Sequence, residues 1–150
     1  MSAVDSIHSM VRFMAESYFP WDAAKYSLHV QPMDDEHKVL IDKMNELRNM
    51  HDAAQPFPAI ETAMRDLVAY TRKHFSDEEA YMERIGYPRI RIHKGIHTQL
   101  LARLDALASE AHTARKLTDD VFVFFKMWLS AHICGIDMQY AEHAHHAKAS

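Results

Sequence analysis

Two pairs of residues four apart carry the first chemical signal in this chain. They are His74 and Glu78, within His74-Phe75-Ser76-Asp77-Glu78, and His93 and His97, within His93-Lys94-Gly95-Ile96-His97. On a helix, positions i and i+4 point the same way, so each pair would present two metal-competent side chains to one point. His37, His132 and Asp137 extend the set to five imidazoles and two carboxylates. A single such pair occurs often on helix surfaces and by itself signals only structure. Seven ligand-type residues on apolar stripes are different. A buried polar group without a partner costs on the order of kilocalories per mole, and a bound metal removes that cost.

The elements that must position these residues read as helices. From Asp35 to about Ala53 the apolar residues Leu40, Ile41, Met44 and Leu47 follow the spacing of a helix buried on one face, with Asp34 as the expected N-cap. Pro56 and Pro58 end it. A second helix is expected from about Ala59 to Ile85, with Ile60, Met64, Leu67, His74, Glu78 and Met82 on its stripe and Gly86 as the stop signal. The third spans about Arg89 to Ala114 and turns His93, His97, Leu100, Leu104 and Leu107 inward. Thr118, followed by Asp119 and Asp120, opens a fourth that carries Val121, Phe125, Trp128, Leu129, His132 and Ile136 inward. Short breaks between helices of similar length predict an all-α, antiparallel up-down four-helix bundle over residues 21–150. In that topology the seven ligand-type residues meet at one end. Residues 1–20 form a separate arm or short helix, striped by Val4, Ile7, Met10, Val11, Met14 and Tyr18. It either covers the bundle or offers a surface to a protein partner.

One spacing conflicts with a regular helix. His132 and Asp137 are five apart, a rotation of roughly 500° that sets them about 140° out of line. Both can face one site only if the helix widens or ends between them, so a bulge or a terminus is predicted there, with Gly135 easing the distortion.

Composition narrows the class. The chain has 150 residues, 48% hydrophobic and 25% charged, which suits one globular domain, and only three glycines, which argues against a turn-rich β fold. A formal charge of −4 and no basic run give no sign of nucleic-acid binding. The single cysteine, Cys134, excludes an intrachain disulfide and reads as a small packed residue. No secretory signal and no run of membrane-spanning length are evident, so a soluble, cytoplasmic protein without membrane insertion is expected. Of the twelve histidines, those in the terminal Glu142-His143-Ala144-His145-His146 are expected on a frayed, solvated end.

The donor set narrows the metal. Five imidazoles and two carboxylates exceed what one four-coordinate zinc takes, and there is no thiolate pattern for an iron–sulfur cluster. Calcium and magnesium want more oxygen. Two six-coordinate transition metals bridged by both carboxylates use every ligand, and imidazole-rich octahedral sites suit iron.

The set, with Trp21-Asp22, Met33-Asp34-Asp35-Glu36-His37-Lys38, His74-Phe75 and Trp128-Leu129-Ser130-Ala131-His132-Ile133 around it, resembles the hemerythrins in their single-domain bacterial form, over about Trp21 to Tyr140. The resemblance implies two non-haem irons, oxo- or hydroxo-bridged. One would take His93, His97 and His132; the other would take His37 and His74 and keep an open position for O2. Glu78 and Asp137 would bridge, and Leu40, Phe75, Trp128, Leu129 and Ile133 would wall the O2 pocket. The implied function is reversible O2 binding by a monomer, for carriage, storage or delivery, with no catalytic residues. The alternatives are a sensor of O2, NO or redox state acting through a partner protein, and a di-iron peroxidase or NO-reducing enzyme.

Overall fold

The computed structural model describes residues 17–149, and all the regular structure among them is helical. A short turn of helix, α1 (Ala23–Tyr26), precedes four long segments: α2 (Gln31–Asp52), α3 (Phe57–Arg84), α4 (Ile90–Ala114) and α5 (Asp119–His132). A wide-turn segment, Ile133–Asp137, joins α5 without a break to α6 (Met138–Ala149).

The boundaries follow local chemistry. Helix α2 starts at Gln31, earlier than expected, because Pro32 fits a first turn whose N–H groups lack helical partners anyway. Asp34 is therefore not the N-cap, which is Val30. It sits inside the first turn, buried, and its carboxylate accepts the Leu28 N–H at 2.8 Å and the Ser27 hydroxyl at 2.6 Å, pinning the incoming loop. Helix α3 likewise carries a proline, Pro58, in its first turn, and it stops where expected. Gly86 takes φ +64°, its N–H donates to the Glu83 carbonyl, and the Tyr87 N–H reaches back to Met82. That pair of bonds is a Schellman stop, which needs a left-handed residue at Gly86. Thr118 occupies the N-cap of α5 with extended backbone, but its hydroxyl makes no capping bond.

Sequential helices pack side by side, α2 on α3 and α3 on α4, and α5 closes against α2. Cross-links at the end away from the histidine set confirm the antiparallel order. His51, late in α2, lies 3.4 Å from Asp119 at the start of α5, and His112, late in α4, lies 2.9 Å from Glu61, early in α3. Leu40, Met44, Leu47, Leu67, Leu104, Phe122 and Phe125 fill the space between. Each such side chain contributes about 1.5–3 kcal/mol by leaving water. Ahead of the bundle, Phe19 is buried and its backbone is paired both ways with the Asn45 amide, at 2.8 Å each. Of the apolar stripe expected along residues 2–19, Val4, Ile7, Met10, Val11 and Met14 lie outside the described residues; Tyr18 packs partly buried against the core on a stretch that is not helical.

Three expectations change. The chain's end is not frayed: α6 runs to Ala149, Tyr140, Ala141 and Ala144 are buried, and His143 and His145 donate to the carbonyls of Ile85 and Leu28. Cys134 is exposed, not packed: two residues beyond the buried His132 it faces out of the bundle, with its thiol 3.6 Å from the Lys25 carbonyl. Finally, the continuous helix Asp119–Lys148 is long and apolar enough to cross a membrane, with a mean hydropathy of 1.4 and 44% of its most apolar stretch buried. Its apolarity has a use inside the bundle, where α5 presents Phe122, Phe125 and Leu129 to the core.

Candidate metal centre

All seven ligand-type residues converge at one end of the bundle, and all are buried: His37, His74, Glu78, His93, His97, His132 and Asp137. His37 comes from the start of α2, His74 and Glu78 from the last turns of α3, and His93 and His97 from the start of α4. His132 closes α5. The wide turn behind it closes i→i+5 bonds, which brings residues five apart into line and lets Asp137 face the same point.

The two carboxylates divide their oxygens between two groups of imidazoles. Glu78 Oε1 lies 3.1 Å from His93 Nε2 and 3.0 Å from His97 Nε2. Asp137 Oδ1 lies 3.1 Å from His93 Nε2 and 3.0 Å from His132 Nε2. The other oxygens turn the opposite way: Glu78 Oε2 is 3.4 Å from His74 Nε2 and 3.7 Å from His37 Nε2, and Asp137 Oδ2 is 3.2 Å from His37 Nε2. Two overlapping donor groups result, one of Glu78, His93, His97, His132 and Asp137, the other of His37, His74 and Glu78. Each spans no more than 4.8 Å between ligand atoms.

Glu78 Oε1 meets His93 Nε2 and His97 Nε2 in hydrogen-bond geometry, but at the other contacts proximity does not amount to hydrogen bonding. His37 Nε2, His74 Nε2, His132 Nε2 and both Asp137 oxygens are buried without a hydrogen-bond partner among the described residues, although several lie near 3 Å from one another. Their donors and acceptors are not aimed at each other. That pattern arises when each is aimed at a common third body, and five imidazole nitrogens with two carboxylates fit a pair of transition metals.

The electrostatics agree. Burial opposes ionisation of Glu78, yet the His74 charge and the close approach of His37, His74 and His93 hold its carboxyl well below the usual range. Asp137 is also lowered, against burial and the Glu78 charge, by His132 and His37. Burial would depress His74, but Glu78 and Glu36 raise it to about 10. Both carboxylates stay ionised at neutral pH and draw cations of either kind, protons onto the imidazoles or metals.

Sequence reasoning missed three supporting residues. Glu36 Oε1 accepts from His74 Nδ1 at 2.8 Å, Glu79 Oε1 accepts from His97 Nδ1 at 2.9 Å, and the Tyr140 hydroxyl donates to Glu78 Oε2 at 2.8 Å. The only available signal was adjacency: Glu36 precedes His37 and Glu79 follows Glu78. Of the five expected wall residues, Phe75 stacks on the His97 ring at 3.8 Å between centroids, and Trp128 meets Phe75 and His132 edge-on at 6.1 and 6.2 Å. Leu40, Leu129 and Ile133 are fully buried in the same core.

Comparison with known proteins points one way. Residues 28–144 match the family model described as the hemerythrin HHE cation binding domain. The bacteriohemerythrin of Pseudomonas aeruginosa (strain LESB58) is 32% identical over 120 residues, covering 79% of this chain and 76% of that protein. The myohemerythrin of Riftia pachyptila is 31% identical over 129 residues, covering 85% of this chain and 95% of its own. A crystal structure of wild-type hemerythrin superposes with a TM-score of 0.78 at 28% identity, covering 85% of this chain and 98% of that one. Fold, donor set and relatives agree: the chain belongs to the hemerythrin family.

Proposed function

We propose that the seven buried residues hold two non-haem irons and that the chain binds O2 reversibly. The observation that carries this reading is the division of the Glu78 and Asp137 oxygens, one of each toward His93, His97 and His132 and the other toward His37 and His74. Carboxylates placed that way would each offer one oxygen to each of two metals. The two-histidine side has one protein ligand fewer, which leaves a position for a diatomic molecule. Such a centre supplies two electrons to bound O2 and recovers them on release.

The chain's own residues set the conditions. Glu36 and Glu79 hold the Nδ1–H of His74 and His97, which fixes the tautomer and turns each Nε2 toward the metal position. Tyr140 fixes the Glu78 carboxylate. Phe75, Trp128, Leu40, Leu129 and Ile133 keep water away, and a dry surround would slow loss of the reduced oxygen ligand, which would leave the irons oxidised. An imidazole-rich set with only two carboxylates favours binding over the carboxylate-rich chemistry of ferritin-like di-iron proteins. A reducing, cytoplasmic setting completes the proposal and suits the exposed free thiol of Cys134.

The test is to load the protein with ferrous iron without oxygen, admit air and follow the optical spectrum. A ligand-to-iron band that forms with O2 and vanishes on deoxygenation supports the proposal, as does loss of that band in His74→Ala. Immediate, irreversible oxidation without such a band overturns reversible binding, and less than one bound iron per chain overturns the whole reading.

A further inference from the structure

Helix α5 carries more apolar surface than the bundle uses. Of the three large apolar side chains exposed among the described residues, two, Val123 at 49% and Met127 at 64%, sit four apart on its outer face. Ala131, also exposed, continues the row. Between Val121 and Ala131 the only charged residue is Lys126, and its ammonium is committed to the Tyr18 carbonyl at 2.9 Å. The outer face of α3, by contrast, exposes Arg65, Asp66, Arg72 and Lys73. An apolar row with no free charge beside it marks an interaction surface.

The described chain begins against this helix. The Tyr18 ring lies edge-on to Phe122 at 6.3 Å and under the Lys126 ammonium at 5.0 Å, while the Phe19 backbone is pinned to Asn45 of α2. The residues before Ser17 therefore set out from the seam between α2 and α5. Their sequence places Val4, Ile7, Met10, Val11 and Met14 at helical spacing, with Asp5, Ser9, Arg12 and Glu16 off that row. In a helix, Val4 to Met14 measures about 15 Å, and Val123 to Ala131 about 12 Å. Ala15 to Ser17 can span about 10 Å, enough to join the two. A helix this short is marginal in water by itself and takes its stability from a packed apolar face. Of the two faces within reach, α2 exposes Asp42, Glu46 and Asn49, and only α5 offers an apolar one.

We propose that residues 4–14 lie along the outer face of α5, with their apolar row on Val123, Met127 and Ala131. The occupant is this chain's own segment because the tether at Tyr18 holds it at an effective concentration on the order of millimolar, ahead of a second copy or a foreign protein. Docked there, it closes the apolar face and backs the helix whose inner side carries Trp128, Leu129 and His132. The inference does not depend on the di-iron reading.

The test measures how fast a water-soluble maleimide labels Met127→Cys in the full chain, with Cys134→Ser removing the native thiol. Labelling should be at least tenfold slower than in the same chain carrying Ile7→Asp and Val11→Asp, which put charge on the apolar row. Ser9→Asp, off that row, should leave the slow rate as it is, and Glu110→Cys, exposed on α4, should label equally fast with and without the two aspartates. Equal rates at Met127→Cys in the two chains mean that the segment does not cover α5, and they overturn the proposal in favour of a face open to another protein. Protection that grows with protein concentration assigns the face to a second copy and overturns it as well.

Discussion

At the scale of single residues, the centre depends on side chains that never touch the metal position. Glu36 and Glu79 are acceptors at 2.8 and 2.9 Å for the outer nitrogens of His74 and His97. Outer partners of this kind typically contribute 10–100-fold to metal affinity. Glu36→Gln and Glu79→Gln should each weaken ferrous iron binding by about that factor in an anaerobic competition with a chelator, with helix content unchanged. Lys73, which pairs with Glu36 from an exposed position at 3.1 Å, serves as the control, and Lys73→Ala should have little effect. Unchanged affinity in both glutamate variants would remove them from the centre. These residues also mark where sequence legibility ends. The seven ligand-type residues were legible because an imidazole or carboxylate on an apolar stripe is conspicuous. Glu36, Glu79 and Tyr140 were not, because a Glu beside a site residue also reads as an ordinary solvated charge, and Tyr140 reads as core.

At the scale of elements, the helices were legible from apolar spacing and from Pro and Gly punctuation, but the role of Asp34 was not. Acidic residues near a helix start look alike in sequence whether they cap the helix or, like Asp34, hold the loop before it. That distinction depends on where Ser27 and Leu28 lie in space. Asp34→Ala would leave the buried Leu28 N–H unpaired and remove two bonds to a charged acceptor. The expected loss is about 2 kcal/mol. For a chain of this length that corresponds to roughly 4–8 °C in Tm by calorimetry, and Asp34→Asn, which keeps an acceptor, should lose less. A Tm unchanged in Asp34→Ala would show that the loop is held by other means. The wide turn at Ile133–Asp137 gives the opposite lesson. Its five-residue spacing could not be reconciled with a regular helix, so the distortion was legible before its form was. The chain's end misled because composition marks histidine-rich termini as solvated, while only the packed bundle shows Ile85 and Leu28 carbonyls within reach of His143 and His145.

At the scale of the whole molecule, one end of the bundle is an apolar core and the other is built around ionisable groups, so stability and metal loading must be linked through protons. In the metal-free protein, burial disfavours protonated His74 and His93, but Glu78, Glu36 and Asp137 outweigh it and raise them to about 10 and about 9. A raised histidine contributes stability that is fully present below its ordinary value of 6.5 and is lost as pH climbs through the folded value. Glu78 and Asp137 are lowered, so their contribution is present above the ordinary values of 4.5 and 3.8 and is lost as pH falls further. The metal-free bundle should therefore be most stable between about pH 4.5 and 6.5 and should weaken toward pH 9. On the proposed reading, bound iron would reverse the upper limb, because a metal on Nε2 would replace the proton that is lost there. The gap in Tm between iron-loaded and metal-free protein should widen from pH 6 to pH 8.5, measured by calorimetry under argon, and loading at pH 7 should release protons into a weakly buffered dye solution. A gap that narrows over that interval, or loading without proton release, would mean that iron and protons do not compete for the same nitrogens, and the convergence of five imidazoles on Glu78 and Asp137 would need another explanation.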